Sequence, residues 1–162
     1  MPQYGRTDQR YRSSYGTIGR EDRSTASQHL LLLLGRLALG TIFVQSGFGK
    51  LINPGGFTAS LEAMGLPMAS ILAVAGAGVE FFGGLAIVLG LFTPMAALLV
   101  GGFVLIATFL AHRYWDMPPN QQGMQQIQFM KNMAIFGGLL TLAAAGAGRL
   151  SFDGLRTGRG RD

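Results

Sequence analysis

Long apolar stretches alternate with short polar segments over most of the chain. Four of them have about 20 residues each, and they occupy residues 30–51, 69–92, 93–112 and 127–148. At 1.5 Å per residue, a helix of this length crosses the ~30 Å hydrocarbon core of a bilayer. Pro94 lies in the first turn of the third stretch, where a missing N–H group costs little. The pattern predicts four transmembrane helices.

The charged residues support this interpretation because they avoid the apolar stretches. They make up 13% of the chain, whereas soluble domains carry about 25%. Between residues 30 and 148 they are Arg36, Lys50, Glu62, Glu80, Arg113, Asp116 and Lys131. A soluble bundle would need a polar face on every helix, yet residues 81–111 contain no charge. We therefore predict an all-α fold, an integral membrane four-helix bundle formed by residues 29–150.

The two ends of the chain have a different composition. Residues 1–28 are rich in Arg, Ser, Gly and Gln and have few apolar side chains, which predicts a disordered basic tail. Residues 151–162 are predicted to form a second, short basic tail. The arginines are better suited to anionic lipid than to nucleic acid, so the expected partner is the bilayer and no nucleic acid is expected.

Orientation follows from the basic residues outside the spans. The tail arginines are Arg6, Arg10, Arg12, Arg20, Arg23, Arg149, Arg156, Arg159 and Arg161. The opposite loops have only Lys50, Arg113 and Lys131. Four spans place both termini on one side, and the positive-inside rule makes that side cytoplasmic. The sequence thus predicts a multi-pass protein of the bacterial inner membrane with cytoplasmic N- and C-termini.

Glu80 is the one carboxylate within the second span. Counting by three and four gives a face of small residues around it, namely Ala73, Gly76 or Ala77, Gly83 or Gly84, and then Ile87. Small residues let another helix approach closely, so Glu80 is predicted to face the bundle interior. Arg36 lies at a height estimated to differ by about 6 Å, which makes it the favoured ion-pair partner, with Lys131 second. A structural ion pair and a functional role both remain open for Glu80.

Other polar residues define further candidates. The intramembrane polar or ligand-binding candidates are Arg36, Gln45, Glu80, His112, Lys131 and Asn132. Lys50 and Arg113 are interpreted as outer-face anchors that extend their charges to the interface, and Trp115 suits an interfacial aromatic belt. Lys131 either extends likewise or reaches inward. On the third span, the same spacing predicts an inward face of Gly101, Leu105, Thr108 and His112.

Several classes of chemistry lack their residues. The chain has no cysteine, which excludes thiolate chemistry and cysteine-bound clusters from this chain alone. Its two histidines, His29 and His112, belong to opposite ends of the predicted bundle and cannot share one haem. No phosphate-binding loop, dinucleotide fingerprint or nucleophile elbow occurs. We expect no catalytic residue, no metal site and no covalently bound cofactor, whereas a quinone is compatible because apolar contacts and few hydrogen bonds hold it.

The sequence resembles the DoxX family of small bacterial membrane proteins over residues 30–154. The matching segments are "GRLALGTIFVQSGFGKL", "LEAMGLP", "GVEFFGGLAIVLGLFTPMAAL", "HRYWD" and "FMKNMAIFGGLL…GAGRLSFDG". The resemblance implies a four-helix membrane fold whose characteristic polar positions are Arg36, Lys50, Glu80, Lys131 and Asn132. The family is named for its similarity to a subunit of an archaeal thiosulfate:quinone oxidoreductase, and some relatives are linked to membrane oxidoreductase complexes.

Two functions follow as expectations. In the first, the protein is a non-catalytic membrane subunit or scaffold of an oxidoreductase or quinone-linked complex, with a soluble or membrane-bound redox partner. In the second, it is a membrane carrier or binding protein for a small anionic or quinone-like ligand. Whether it is an enzyme is left open, and the missing catalytic groups favour a protein that is not an enzyme by itself.

Overall fold

The computed structural model describes residues 7–158, with side chains described for residues 26–156. This part of the chain is helical and contains no strand. The α-helices are α1 (Thr7–Ile52), α2 (Pro54–Ala63), α3 (Ala69–Leu89), α4 (Thr93–Ala111), α5 (Pro119–Ala145) and α6 (Phe152–Gly158). A single 3-10 turn, Tyr114–Asp116, connects α4 to α5.

Four of these helices are long and apolar enough to cross a membrane, which confirms the predicted number. Their spans are Ala26–Ile52, Ala69–Leu89, Thr93–Asp116 and Pro119–Ala145. Large apolar side chains cover their outer surfaces, and Met95, Ile106 and Ile127 are each more than 60% exposed. Exposed apolar surface of this extent is unusual on a soluble protein, and here it is the lipid-facing surface.

The helix boundaries differ from the sequence prediction at three places. The second span ends at Leu89, because Gly90 takes a φ of 71° and closes the helix with bonds from the Gly90 and Leu91 N–H groups to Ile87 and Ala86. The fourth span begins at Pro119, eight residues before the predicted start, because Pro at the first helical position initiates the helix. The first turns of this helix are polar, so the hydropathy pattern did not predict them. The helix ends at Ala145 rather than at residue 148.

Helix α1 extends into the segment that the sequence predicts to be a tail. Residues 7–28, predicted to be disordered, belong to α1. Extending an existing helix is far easier than starting one, and this segment contains no proline to interrupt it. In the C-terminal tail, α6 occupies Phe152–Gly158. Residues 1–6 and 159–162, which complete the two predicted tails, lie outside the described residues.

The interior face predicted for the second span is confirmed. The buried residues of α3 are Ala69, Ala73, Gly76, Ala77, Glu80, Gly83, Gly84 and Ile87. On α4, Gly101 and Thr108 are buried as predicted, but Val104 rather than Leu105 faces inward. The hydrophobic core forms where these faces meet α1 and α5, and it consists of Phe43, Ile87, Ala96, Ala97, Val100, Val104, Leu139 and Leu142.

Helices α1 and α3 are in close contact because glycines face each other across their interface. A Cβ atom placed on Gly84 would lie 2.7 Å from the Cβ of Phe43 and 3.0 Å from the carbonyl oxygen of Gly40. A Cβ on Gly40 would meet Val88, and one on Gly47 would meet Phe81. These pairs fix the relative height of the two helices. Helix α1 therefore ends before it reaches the level of the first turns of α3. Helix α2 also packs against α3.

We expect Gly84→Ala to lower the free energy of unfolding by about 1–3 kcal/mol, because the added methyl group meets backbone atoms of α1 that cannot move independently. Gly102→Ala on α4 is the matched control, since a Cβ there meets nothing within 4 Å. Both changes gain the same helix propensity, so their difference isolates the steric effect. Unfolding in mixed detergent micelles, followed by circular dichroism, measures it. Equal stabilities would contradict the close contact.

Candidate functional site

A cavity of about 500 Å³ lies in the half of the bundle far from the chain termini. Helices α1 to α5 all contribute to its wall, and most of the lining is apolar. The polar lining residues are Ser46, Lys50, Glu80, His112, Lys131 and Asn132. Its volume falls in the range of pockets that enclose small organic ligands. The structure thus places four of the predicted intramembrane candidates, together with Lys50, around one cavity.

An ion pair forms part of the cavity wall. Lys50 Nζ lies 2.5 Å from Glu80 Oε1 and 4.6 Å from the centre of the Phe57 ring. Glu80 is buried with 5% of its surface exposed, whereas the Lys50 side chain keeps 26% exposed. The second carboxylate oxygen of Glu80, Oε2, is buried and has no hydrogen-bond partner among the described residues.

This arrangement corrects the predicted pairing of Glu80 with Arg36. Lys50, interpreted from the sequence as an interfacial anchor, is the partner, and Lys131 is not. The error lies in the assumed height of the helices. Arg36 lies beside Gly90 at the far end of α3, and the separation of ten positions between Glu80 and Gly90 corresponds to roughly 15 Å along the helix.

Arg36 belongs instead to a second polar cluster near the termini. It is 1% exposed, and its Nη2 donates to the carbonyl oxygen of Leu150. The neighbouring carboxylate of Asp153 supplies an opposite charge. The backbone N–H of Arg149 donates to His29 Nδ1 over 3.3 Å. We call residues 149–156 the C-terminal clamp, because this segment joins the end of the chain to α1.

Asp153 connects the clamp to the turn between α3 and α4. Its carboxylate oxygens accept hydrogen bonds from Phe92 N, at 2.9 Å, and Thr93 N, at 2.8 Å. Its own N–H donates to Gly90 O over 2.9 Å. Burial tends to raise the pKa of Asp153, but the hydrogen bonds from Thr93 and Phe92 and the charge of Arg156 hold it below its usual value. A negative charge at the N-terminus of α4 also interacts favourably with the dipole of that helix.

The sequence did not identify Asp153 as a site residue. A signal was present in "SFDG", where an acid and small residues follow the last span. Its partner cannot be read from the sequence, because the partner is the backbone of residues 92–93, about 60 positions earlier.

The remaining predicted residues have varied surroundings. His112 Nδ1 lies 2.8 Å from Gln125 Oε1, and Lys131 Nζ donates to Gln128 Oε1. Gln45 is exposed on the outside of α1 and does not line the cavity. The structure therefore separates Gln45 from the other candidates.

The outer-face candidates Arg113 and Trp115 lie in the connection between α4 and α5. Arg113 forms an exposed ion pair with Asp116 at 3.7 Å. Trp115 is half exposed and contacts the rings of Phe109, Tyr114 and Phe129. A group of aromatic rings at a helix end is typical of the membrane–water interface.

The chemistry that the cavity offers is binding by charge and hydrogen bonds within an apolar enclosure. Within the described residues, no group of three or more His, Cys, Asp or Glu side chains is placed to hold a metal ion. Lys50, Lys131 and Asn132 supply donors, and Glu80 supplies an acceptor.

The fold and the cavity define a helical membrane protein with a polar centre in one half of its bundle. A sequence profile of the DoxX family matches residues 31–113. Inner membrane protein YphA of Escherichia coli is 35% identical over 128 residues, which cover 79% of this chain and 91% of that protein. Inner membrane protein YqjF of the same organism is 37% identical over 126 residues, covering 76% and 90%. No solved structure matches the chain. The chain belongs to the DoxX family.

Proposed function

We propose that this DoxX-family protein is a membrane binding protein or carrier for a small amphipathic ligand, quinone-like or anionic, that occupies the cavity in the outer half of the bundle. The observation that carries the proposal is the partly buried Lys50–Glu80 pair, with Glu80 its buried member, in the wall of a mainly apolar cavity. Buried ion pairs cost desolvation energy and contribute little net stability. Ionisable groups inside a membrane protein commonly mark ligand or ion sites.

The unsatisfied oxygen of Glu80 supports the same function. A buried acceptor without a partner costs about 1–3 kcal/mol, and Glu80 Oε2 has no partner among the described residues. A water molecule held in the cavity beside the ligand, or a donor group of the ligand, would recover that energy by donating to this oxygen. Asn132, half-buried across the cavity, adds a side chain that both donates and accepts.

A subunit of an oxidoreductase complex is the second candidate function, and it is motivated by the similarity for which the DoxX family is named, that to a subunit of a thiosulfate:quinone oxidoreductase. The two functions are compatible if the ligand is a quinone, since a subunit of an oxidoreductase complex can bind the quinone in this cavity. No feature of the described residues identifies a redox partner, so we place this role second. We propose no covalent or metal-ligated cofactor for either role. Copurification of a redox partner from native membranes would favour the subunit.

Inner-membrane location with cytoplasmic termini is part of the proposal. Both relatives are inner membrane proteins. The contact of His29 with Arg149 brings the start of the first span and the end of the fourth together. The basic tails at this end support a cytoplasmic location for both termini.

The chain has no cysteine, so a single introduced cysteine reports orientation without background. We expect Asn120→Cys, at the start of α5, to react with an impermeant maleimide in intact spheroplasts. Leu155→Cys, exposed in the C-terminal clamp, should react only after lysis. The reverse pattern would overturn the orientation and the assignment of the cavity to the outer half.

Filling the cavity is expected to abolish binding of the probes laurate and decylubiquinone. Ala75 lines the cavity, whereas its neighbour Val74 is 61% exposed and does not. Ala75→Phe should therefore reduce retention of a bound probe by lipid nanodiscs at least about tenfold, and Val74→Phe should leave it unchanged. Retention is measured after subtraction of empty nanodiscs. If neither probe binds the unmodified protein, or if both variants bind alike, the cavity is not a ligand site.

A further inference from the structure

The charges around the cavity do not cancel. Lys50 and Glu80 neutralise each other at 2.5 Å, which leaves Lys131 as the remaining charged lining residue. Its ammonium group donates to the neutral amide of Gln128. Among the described residues in this half of the bundle, the carboxylates of Glu80 and Asp116 pair with Lys50 and Arg113. Lys131 therefore has no carboxylate partner there, and the cavity carries one excess positive charge.

The position of Lys131 makes this charge unusual. Lys131 is the twelfth residue after Pro119, the start of α5, which places it roughly 18 Å along that helix. Lys131 is exposed where it lines the cavity, and it lies four residues into the apolar part of α5, which begins at residue 127. A cation within the apolar part of a spanning helix is costly and normally faces a partner or a polar cavity. Gln128 satisfies one of its three N–H donors, and an amide does not compensate the charge.

Part of the cavity lining is also exposed apolar surface. Three of the lining residues, Leu72, Ile106 and Leu110, are 41%, 63% and 42% exposed. We expect a molecule dissolved in the acyl-chain region to enter between these side chains without crossing water. Such a molecule must carry an apolar body, and the lining offers that body apolar contacts along α3 and α4.

We infer that the ligand is an anionic amphiphile, whose head group pairs with Lys131 while its apolar chain occupies the cavity. This inference rests on the proposed function and names the chemical class of its ligand. A carboxylate and a phosphate monoester on an alkyl chain share the required chemistry. The charge of Lys131 selects the anion, and the apolar lining selects the chain.

The test compares three probes of equal chain length: laurate, dodecyl phosphate and neutral dodecanol. Each is radiolabelled, and the amount retained by protein-containing nanodiscs of neutral lipid is corrected for empty nanodiscs. We expect laurate or dodecyl phosphate to bind at least about tenfold more tightly than dodecanol, because a charge-assisted contact is lost in the alcohol. The stronger of the two anions identifies the kind of head group.

Variants of Lys131 assign the preference to one side chain. Lys131→Gln should remove the preference for the anion and leave dodecanol binding unchanged, whereas Lys131→Arg should retain it. Arg113→Gln is the matched control, because Arg113 is a cation of the same half of the bundle that does not line the cavity. Its preference should equal that of the unmodified protein.

The outcomes separate the two levels of the proposal. If dodecanol binds as tightly as the anions, or if Lys131→Gln keeps the preference, the anionic class is wrong while a ligand-binding cavity remains. If no probe binds, both the inference and the proposed function fail. If Arg113→Gln loses the preference as Lys131→Gln does, a general surface charge is responsible and the assignment to Lys131 is overturned.

Discussion

Lys50→Met is expected to destabilise the folded protein by about 3–5 kcal/mol, since removing one member of a buried ion pair leaves the other uncompensated. The buried member is Glu80, which is 5% exposed and accepts its one recorded hydrogen bond from Lys50. Glu80→Gln should cost less, because Lys50 keeps a quarter of its side chain exposed and retains the ring of Phe57. The measurement is the free energy of unfolding in mixed micelles.

The double variant Lys50→Met/Glu80→Gln tests whether the two residues act as a pair. It should recover much of the loss seen in Lys50→Met, because neither charge is then left alone. Arg36→Gln combined with Glu80→Gln is the comparison, and it should show additive losses since Arg36 lies at the other end of α3. Recovery in that combination instead would restore the Arg36 pairing that the sequence favoured.

Asp153→Ala is expected to lower the free energy of unfolding by about 2–4 kcal/mol. The change removes two hydrogen bonds from backbone N–H groups to a charged acceptor and leaves Arg36 without its neighbouring charge. Such bonds are worth about 1.5–3 kcal/mol each, and the partial exposure of Asp153 lowers their combined contribution. Asp116→Ala is the matched control, because its ion pair with Arg113 is exposed and such pairs contribute about 0–1 kcal/mol. Equal losses in the two variants would refute the clamp.

The pKa of Asp153 gives this contribution a pH dependence. Because folding lowers its pKa, the folded state binds the proton less readily than the unfolded state, whose aspartate pKa is about 3.9. The contribution is therefore complete above that value and is lost as the pH falls through the lower, folded pKa. The difference in stability between the unmodified protein and Asp153→Asn should shrink on acidification from pH 6 to pH 3. A constant difference would contradict it.

The sequence predicted the features that depend on one helix at a time. Glu80 and its small neighbours share a face because of the 3.6-residue period, and this face is buried as expected. The number of spans follows from hydropathy in the same way. The family also followed from polar residues at characteristic places among these spans, and the match over residues 31–113 confirms it.

The features that depend on two helices were not predictable. The partner of Glu80 is decided by the relative height of α1 and α3, which is set by contacts of Gly40 with Gly84 and of Gly47 with Phe81. The sequence analysis assumed that α1 and α3 cross the membrane at the same height. This assumption placed Arg36 several ångströms too close to Glu80. The short helix α2 and the loop after it allow α3 to begin beyond the level at which α1 ends. The hydropathy pattern does not predict this offset.

The unequal packing of the four spanning helices has a mechanical consequence. Helices α1 and α3 form one close pair and α4 and α5 another, while α1 and α5 touch only lightly. The turn at residues 90–92, between α3 and α4, therefore connects the two pairs and can act as their hinge. We expect the two pairs to separate along the contact between α1 and α5, so that the cavity can accept a ligand larger than its closed volume of about 500 Å³. Asp153 binds the backbone of this hinge at residues 92 and 93. It would therefore control how easily the two pairs separate, although it lies at the opposite end of the bundle from the cavity.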